Sequence, residues 1–155
     1  SVLTLSSCTD AIVVPELLTG QVDLGSIELA PGETGLVVLK ITGVRDGIKA
    51  IEISGRHGNF ISYDPAIIQI TEVVPVAPFT FDAIEFNNTT GHITLIARGG
   101  EGGPFPQDAE VLHMNISAIG SAGTRSILDV DVTHLIDGKN SPIAAQLSPG
   151  QVSIH

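Results

Sequence analysis

From Val22 to Ile154 no stretch of this chain carries a helical period. Its apolar residues come instead in short, often alternating runs broken by turn residues. The clearest break is Tyr63-Asp64-Pro65, which closes one run and opens another, Ile67 to Val74. Asp64, standing before a proline, is pushed out of the helical region, and Pro65 fixes its own φ for the turn. Two strands joined this way, with no helix between them, belong to an antiparallel β-protein.

The remaining runs fit the same scheme. Val22–Leu29, Gly35–Val44, Gly47–Ser54, Phe79–Phe86, His92–Arg98, Ala109–Ile119, Ser126–Leu135 and Gln151–Ile154 all read as strands. With Ile67–Val74 they make about nine strands at sandwich-like spacing. In Gly47–Ser54 alternation puts Lys49, Ile51 and Ile53 on one face and Ile48, Ala50 and Glu52 on the other. In Phe79–Phe86 it separates Phe79, Phe81 and Ala83 from Thr80, Asp82 and Ile84. In Ser126–Leu135 it turns Leu128, Val130 and Val132 inward, with Ile127, Asp129, Asp131 and Thr133 outward.

With 155 residues, the chain fits one domain, here 22–155, preceded by an arm or extra strand over 1–21. Hydrophobic residues make up 43% but aromatics only 4%, with no Trp, so the core must be aliphatic. The net charge of −10 argues against nucleic acid or an anionic membrane surface as partner. No apolar run approaches the roughly 20 residues of a membrane span. A single cysteine, Cys8, allows no internal disulfide. Leu5-Ser6-Ser7-Cys8 looks like a lipoprotein cleavage box, but no charged and apolar segment precedes it, so chance explains it better.

Chemistry is hard to find. His57, His92, His113, His134 and His155 are not paired at metal-ligand spacing, and read as structural. There is no Gly-x-Ser-x-Gly elbow. The glycine-rich Gly99–Gly103 lacks the Lys-Ser/Thr of a phosphate loop. Asp137-Gly138-Lys139-Asn140 gathers oxygen ligands but reads as a β-turn and not a calcium site. Asn88-Thr89-Thr90 is a glycosylation sequon in an expected exposed turn. The chain reads as a non-enzyme with no metal and no cofactor of its own.

Three stretches resemble cohesin domains, the modules that receive dockerins. Gly47–Ile53 leading into Tyr63-Asp64-Pro65-Ala66-Ile67-Ile68 is similar to the family's third strand, turn and fourth strand. Gly91–Ala97, a Gly-rich loop and Ala109–Met114 are similar to its sixth and seventh. Gly123–Val130, closing at Asp137–Ile143, is similar to its eighth. The resemblance implies a nine-stranded antiparallel β-sandwich of jelly-roll topology whose eighth, third, sixth and fifth strands form a dockerin-binding face. Carried over by strand, that face is Ile48, Ala50 and Glu52; Leu95, Ala97 and Arg98; Asp82 and Ile84; and Ile127, Asp129 and Asp131. It would have an apolar centre and an acidic rim, suited to a helical partner; Glu52→Lys is then expected to weaken docking. The resemblance further implies an extracellular or cell-surface setting, polysaccharide degradation as context, and calcium on the dockerin.

Two other classes stay open. Carbohydrate-binding modules share the architecture, but their platforms usually expose aromatics, which are scarce here. A self-associating structural domain would use an exposed apolar sheet face to pair as a homodimer.

Overall fold

The computed structural model describes residues 19–53, 59–98 and 104–155; for Asn59, Thr80, Asp82 and 95–98 it describes the backbone alone. Cys8, His57, the stretch 99–103 and the arm as far as residue 18 lie outside the described residues. The arm's last residues, Thr19 to Gln21, already belong to the first strand.

The described residues form thirteen strands. They are β1 (Thr19–Leu24), β2 (Ile27–Leu29), β3 (Thr34–Thr42), β4 (Ile48–Glu52), β5 (Asn59–Ser62), β6 (Ile68–Pro75) and β7 (Thr80–Asn87). The rest are β8 (His92–Arg98), β9 (Ala109–Ala118), β10 (Arg125–Val130), β11 (His134–Asp137), β12 (Pro142–Ser148) and β13 (Gly150–Ile154). A first sheet of seven strands runs β4-β11-β12-β1-β3-β9-β6, and a second of six runs β2-β13-β10-β5-β8-β7. Most pairings are antiparallel; β1 with β12 and β2 with β13 are parallel.

Thirteen strands stand where about nine were expected because four stretches change sheets partway along. β1 and β12 run together in the first sheet, and their continuations β2 and β13 run together in the second. β4 and β11 pair in the first sheet, β5 and β10 in the second. Such corners are how packed sheets share strands at their margins. At one of them the backbones nearly touch: a Cβ on Gly150 would lie 2.2 Å from the Gly25 carbonyl oxygen. Only a residue without a side chain fits.

The space between the sheets is filled by branched aliphatics, as the composition requires. Val37, Leu39 and Ile41 of β3, Met114 and Ile116 of β9, Ile93 of β8 and Leu128 of β10 are all essentially inaccessible. Burying each contributes about 1.5–3 kcal/mol. The buried aromatics are Phe60, Tyr63 and Phe79.

The Tyr63-Asp64-Pro65 turn is a hydrogen-bonded joint. Asp64 Oδ1 accepts from the Ala66 amide at 2.9 Å, and the Ser126 hydroxyl oxygen accepts from the Asp64 amide at 2.8 Å, tying the turn to β10. The Tyr63 hydroxyl donates to Asn88 Oδ1 at 2.6 Å. Asn88 in turn pairs with both backbone groups of Ile70, accepting from its N–H and donating to its C=O, each at 2.9 Å. It thus acts as a one-residue partner for the edge strand β6. This overturns the reading of Asn88 as an exposed acceptor, since its amide nitrogen is engaged.

Bulges correct several faces inferred from alternation. Pairing between β4 and β11 shifts register at Lys49, so Ile48 and Ile51 both turn inward. Ile48, expected on an exposed face, is 0% accessible. In β7 the shift falls at Asp82, so Ile84 joins Phe81 on the core side instead of lying opposite it. In β5 the extra residue is Phe60, which leaves Phe60 and Ile61 both buried.

Candidate functional site

The outer face of the second sheet carries the strands expected as eighth, sixth and fifth, with β5 standing in the third strand's place. β10, β5, β8 and β7 lie side by side. β10 alternates cleanly, so Leu128 and Val130 go in while Arg125, Ile127 and Asp129 go out. Ile127 is 44% exposed, an aliphatic side chain held in solvent by its neighbours' burial. Asp131, just past the strand, is exposed too, with its amide donating to the Phe60 carbonyl at 2.8 Å.

Cross-strand register then sets the rows. Asp129 lies opposite Ser62, Ser62 opposite His92, and His92 opposite Asn87. Ile61 and Ile93, the neighbours of Ser62 and His92, are fully buried, so this row faces solvent. A second row pairs Thr94 with Glu85, and Ala83 stands exposed further along β7. On the other flank Ile127 lies opposite Gln151 and Arg125 opposite Ser153. Beyond them a shallow groove of about 460 Å³ is lined by Ser26, Ile27, Glu28, Gln151 and Ser153.

The electrostatics are uneven. Among the described residues Asp129, Asp131 and Glu85 make no ion pair, and Arg125 opens β10 while Asp131 follows its end. A partner crossing the middle of the sheet therefore meets carboxylates.

Of the residues expected on this face, Ile127, Asp129 and Asp131 are on or beside it. Ile48, Ala50 and Glu52 are not. β4 forms an edge of the first sheet, where Ala50 pairs with Ile136 and Glu52 with His134. The place between β10 and β8 belongs to β5, Asn59 to Ser62. Ile84 packs on the core side. Leu95, Ala97 and Arg98 pair along the backbone with Ile84, Phe81 and Thr80, and Asp82 is the bulge residue of β7. Ser62, His92, Thr94, Glu85 and Asn87 were missed by the sequence reading. The period-2 alternation of His92-Ile93-Thr94 is the signal that finds two of them.

Elsewhere, Asp137 is 2% exposed, and its Oδ1 accepts from the Lys139 and Ser141 amides at 2.9 and 3.0 Å. This carboxylate shapes its turn. Among the described residues no group of three His, Cys, Asp or Glu could hold a metal ion. Among them also, Phe86 is the only exposed aromatic. No described helix is long and apolar enough to cross a membrane. Burial pushes the Tyr63 phenol up to about 12.

No family model matches the sequence, and no curated protein matches it. Solved structures do. The sixth cohesin of scaffoldin B from Acetivibrio cellulolyticus, crystallised with a Cel5 dockerin, superposes with a TM-score of 0.72 over 88% of this chain and 99% of its own, at 14% identity. This chain has the cohesin fold. Its cohesin architecture also matches the OlpA cohesin of Clostridium thermocellum, solved with the dockerin Doc918, with a TM-score of 0.72 and 15% identity over 88% of this chain and 99% of that one. A non-cellulosomal cohesin from the archaeon Archaeoglobus fulgidus matches with a TM-score of 0.65 and 17% identity, over 88% and 91% of the two chains.

Proposed function

We propose that this chain is a non-catalytic docking module that binds a dockerin on the outer face of its second sheet. The observation that carries the reading is the run β10-β5-β8-β7, which presents Ile127 among Asp129, Ser62 and His92 on a fold shared with dockerin-bound cohesins. A flat sheet face with one aliphatic anchor and a polar surround suits a helical partner. Its carboxylates favour a partner surface bearing Lys or Arg. Counting each sheet-switching pair as one strand supports reading the fold as the nine-stranded jelly roll that the resemblance implies. Calcium would be on the dockerin, and the setting would be extracellular or at the cell surface, in a polysaccharide-degrading assembly.

Calorimetry against a panel of calcium-loaded dockerins and of polysaccharides tests this. Calcium-dependent binding to a dockerin, weakened by Asp129→Lys, is the expected result. Binding to a polysaccharide alone would replace this reading with a carbohydrate-binding one, which the scarcity of exposed aromatics disfavours. Binding to neither, with self-association, would favour a homotypic surface module.

A further inference from the structure

The row Asn87–His92–Ser62–Asp129 takes one polar side chain from each of four adjacent strands. We propose that this row is the line along which the docked helix is read, and that His92, near its middle, is a specificity-determining residue. The inference rests on the dockerin reading and names which part of that face selects the partner.

Histidine pairing singles His92 out. His113 Nε2 lies 2.7 Å from Glu110, His134 Nε2 3.9 Å from Glu52, and His155 Nδ1 3.8 Å from Glu28. Among the described histidines only His92 has neither a carboxylate nor any other side-chain partner. It is half-buried on β8, between β5 and the edge strand β7, where an imidazole gives up part of its hydration. Ser62 beside it and Asp129 beyond are likewise without side-chain partners, and Asn87 commits its Oδ1 to the Thr89 and Thr90 amides while its NH₂ makes no hydrogen bond. The row therefore offers an amide donor, an imidazole, a hydroxyl and a carboxylate, in that order.

The spacing fits a helix. Neighbouring strands are about 4.8 Å apart, so the row spans about 14 Å. Successive turns of an α-helix are about 5.4 Å apart. A helix laid across the strands presents roughly one side chain per strand over about ten residues.

Carboxylates flank the row: Asp129 ends it beyond Ser62, and Glu85 stands diagonal to His92, opposite Thr94. They favour a cationic partner surface.

The test is calorimetry of the unaltered protein, His92→Ala and His113→Ala with the calcium-loaded dockerin that binds best in the panel. His92→Ala should weaken binding about tenfold, the loss of one well-made hydrogen bond, and His113→Ala, on the first sheet, less than about twofold. Unchanged affinity in His92→Ala, or the same loss in His113→Ala, overturns the role of His92 while leaving the dockerin reading in place. If no dockerin binds the unaltered protein, the dockerin reading falls and this one with it.

Discussion

The Tyr63 hydroxyl and Asn88 Oδ1 are 2.6 Å apart, and that hydrogen bond joins the Tyr-Asp-Pro turn to the edge of the first sheet. Asn88 carries three partners at once: the phenol, the Ile70 N–H and the Ile70 C=O. Removing the amide strands both Ile70 groups and leaves the phenol only its longer bond to the Asn87 carbonyl, at 3.2 Å, whereas removing the phenol leaves Asn88 with two partners. Asn88→Ala should therefore cost about 2–3 kcal/mol, and Tyr63→Phe about 1 kcal/mol. Urea unfolding of the two single variants and the double variant checks this. The double variant should cost less than the sum of the singles, because both remove the same bond.

The same phenol makes the fold sensitive to alkali. Burial raises its folded pKa to about 12, above the ordinary value near 10. A raised acid pKa means the folded state holds the proton longer than the unfolded state. That stability is fully present below about pH 10 and is lost as the pH climbs towards 12. Thermal melts between pH 9 and 12 should show a fall in the unaltered protein that is shallower in Tyr63→Phe.

Two isoleucines expected on one face part company. Ile48 is fully buried and Ile127 is 44% exposed. Ile48→Ala should destabilise by about 2–5 kcal/mol through the cavity it leaves. Ile127→Ala should change stability by less than about 0.5 kcal/mol, yet weaken dockerin binding about tenfold, as loss of an interface anchor does. Denaturant midpoints and binding isotherms on the same preparations separate the two effects.

Charge reversal maps the face. Asp129→Lys in the middle of the second sheet should weaken docking by more than about tenfold. Glu52→Lys, on the edge strand of the first sheet, should change it by less than about threefold. This reverses the expectation drawn from strand order alone, and surface plasmon resonance with one immobilised dockerin measures both.

Gly91 is a backbone requirement. It has φ +78°, and a Cβ there would lie 2.2 Å from the Tyr63 carbonyl oxygen. Gly91→Ala should cost at least about 1–3 kcal/mol, read as a lower melting temperature.

The fold and part of the face were legible for a physical reason. β10 alternates without interruption, so Ile127 and Asp129 could be placed from sequence. Bulges defeated the same method elsewhere. One extra residue at Lys49 and one at Asp82 inverted the faces of Ile48 and Ile84, because side-chain direction has a period of two. β5 escaped notice because Phe60 and Ile61 are both buried, so it shows no alternation to read. The four sheet changes were invisible as well, since a strand that crosses a corner keeps its apolar character on both sides. His92 looked like any strand histidine until the register set it beside Ser62 and Asn87.

The most direct test is an amide chemical-shift map of the isotope-labelled protein titrated with a calcium-loaded dockerin. The predicted footprint centres on Ser62, His92, Thr94, Ile127 and Asp129, and spares Leu36, Glu72 and His113 on the outer face of the first sheet. A footprint centred on Leu36, Glu72 and His113, or no shift with any dockerin in the panel, would contradict it.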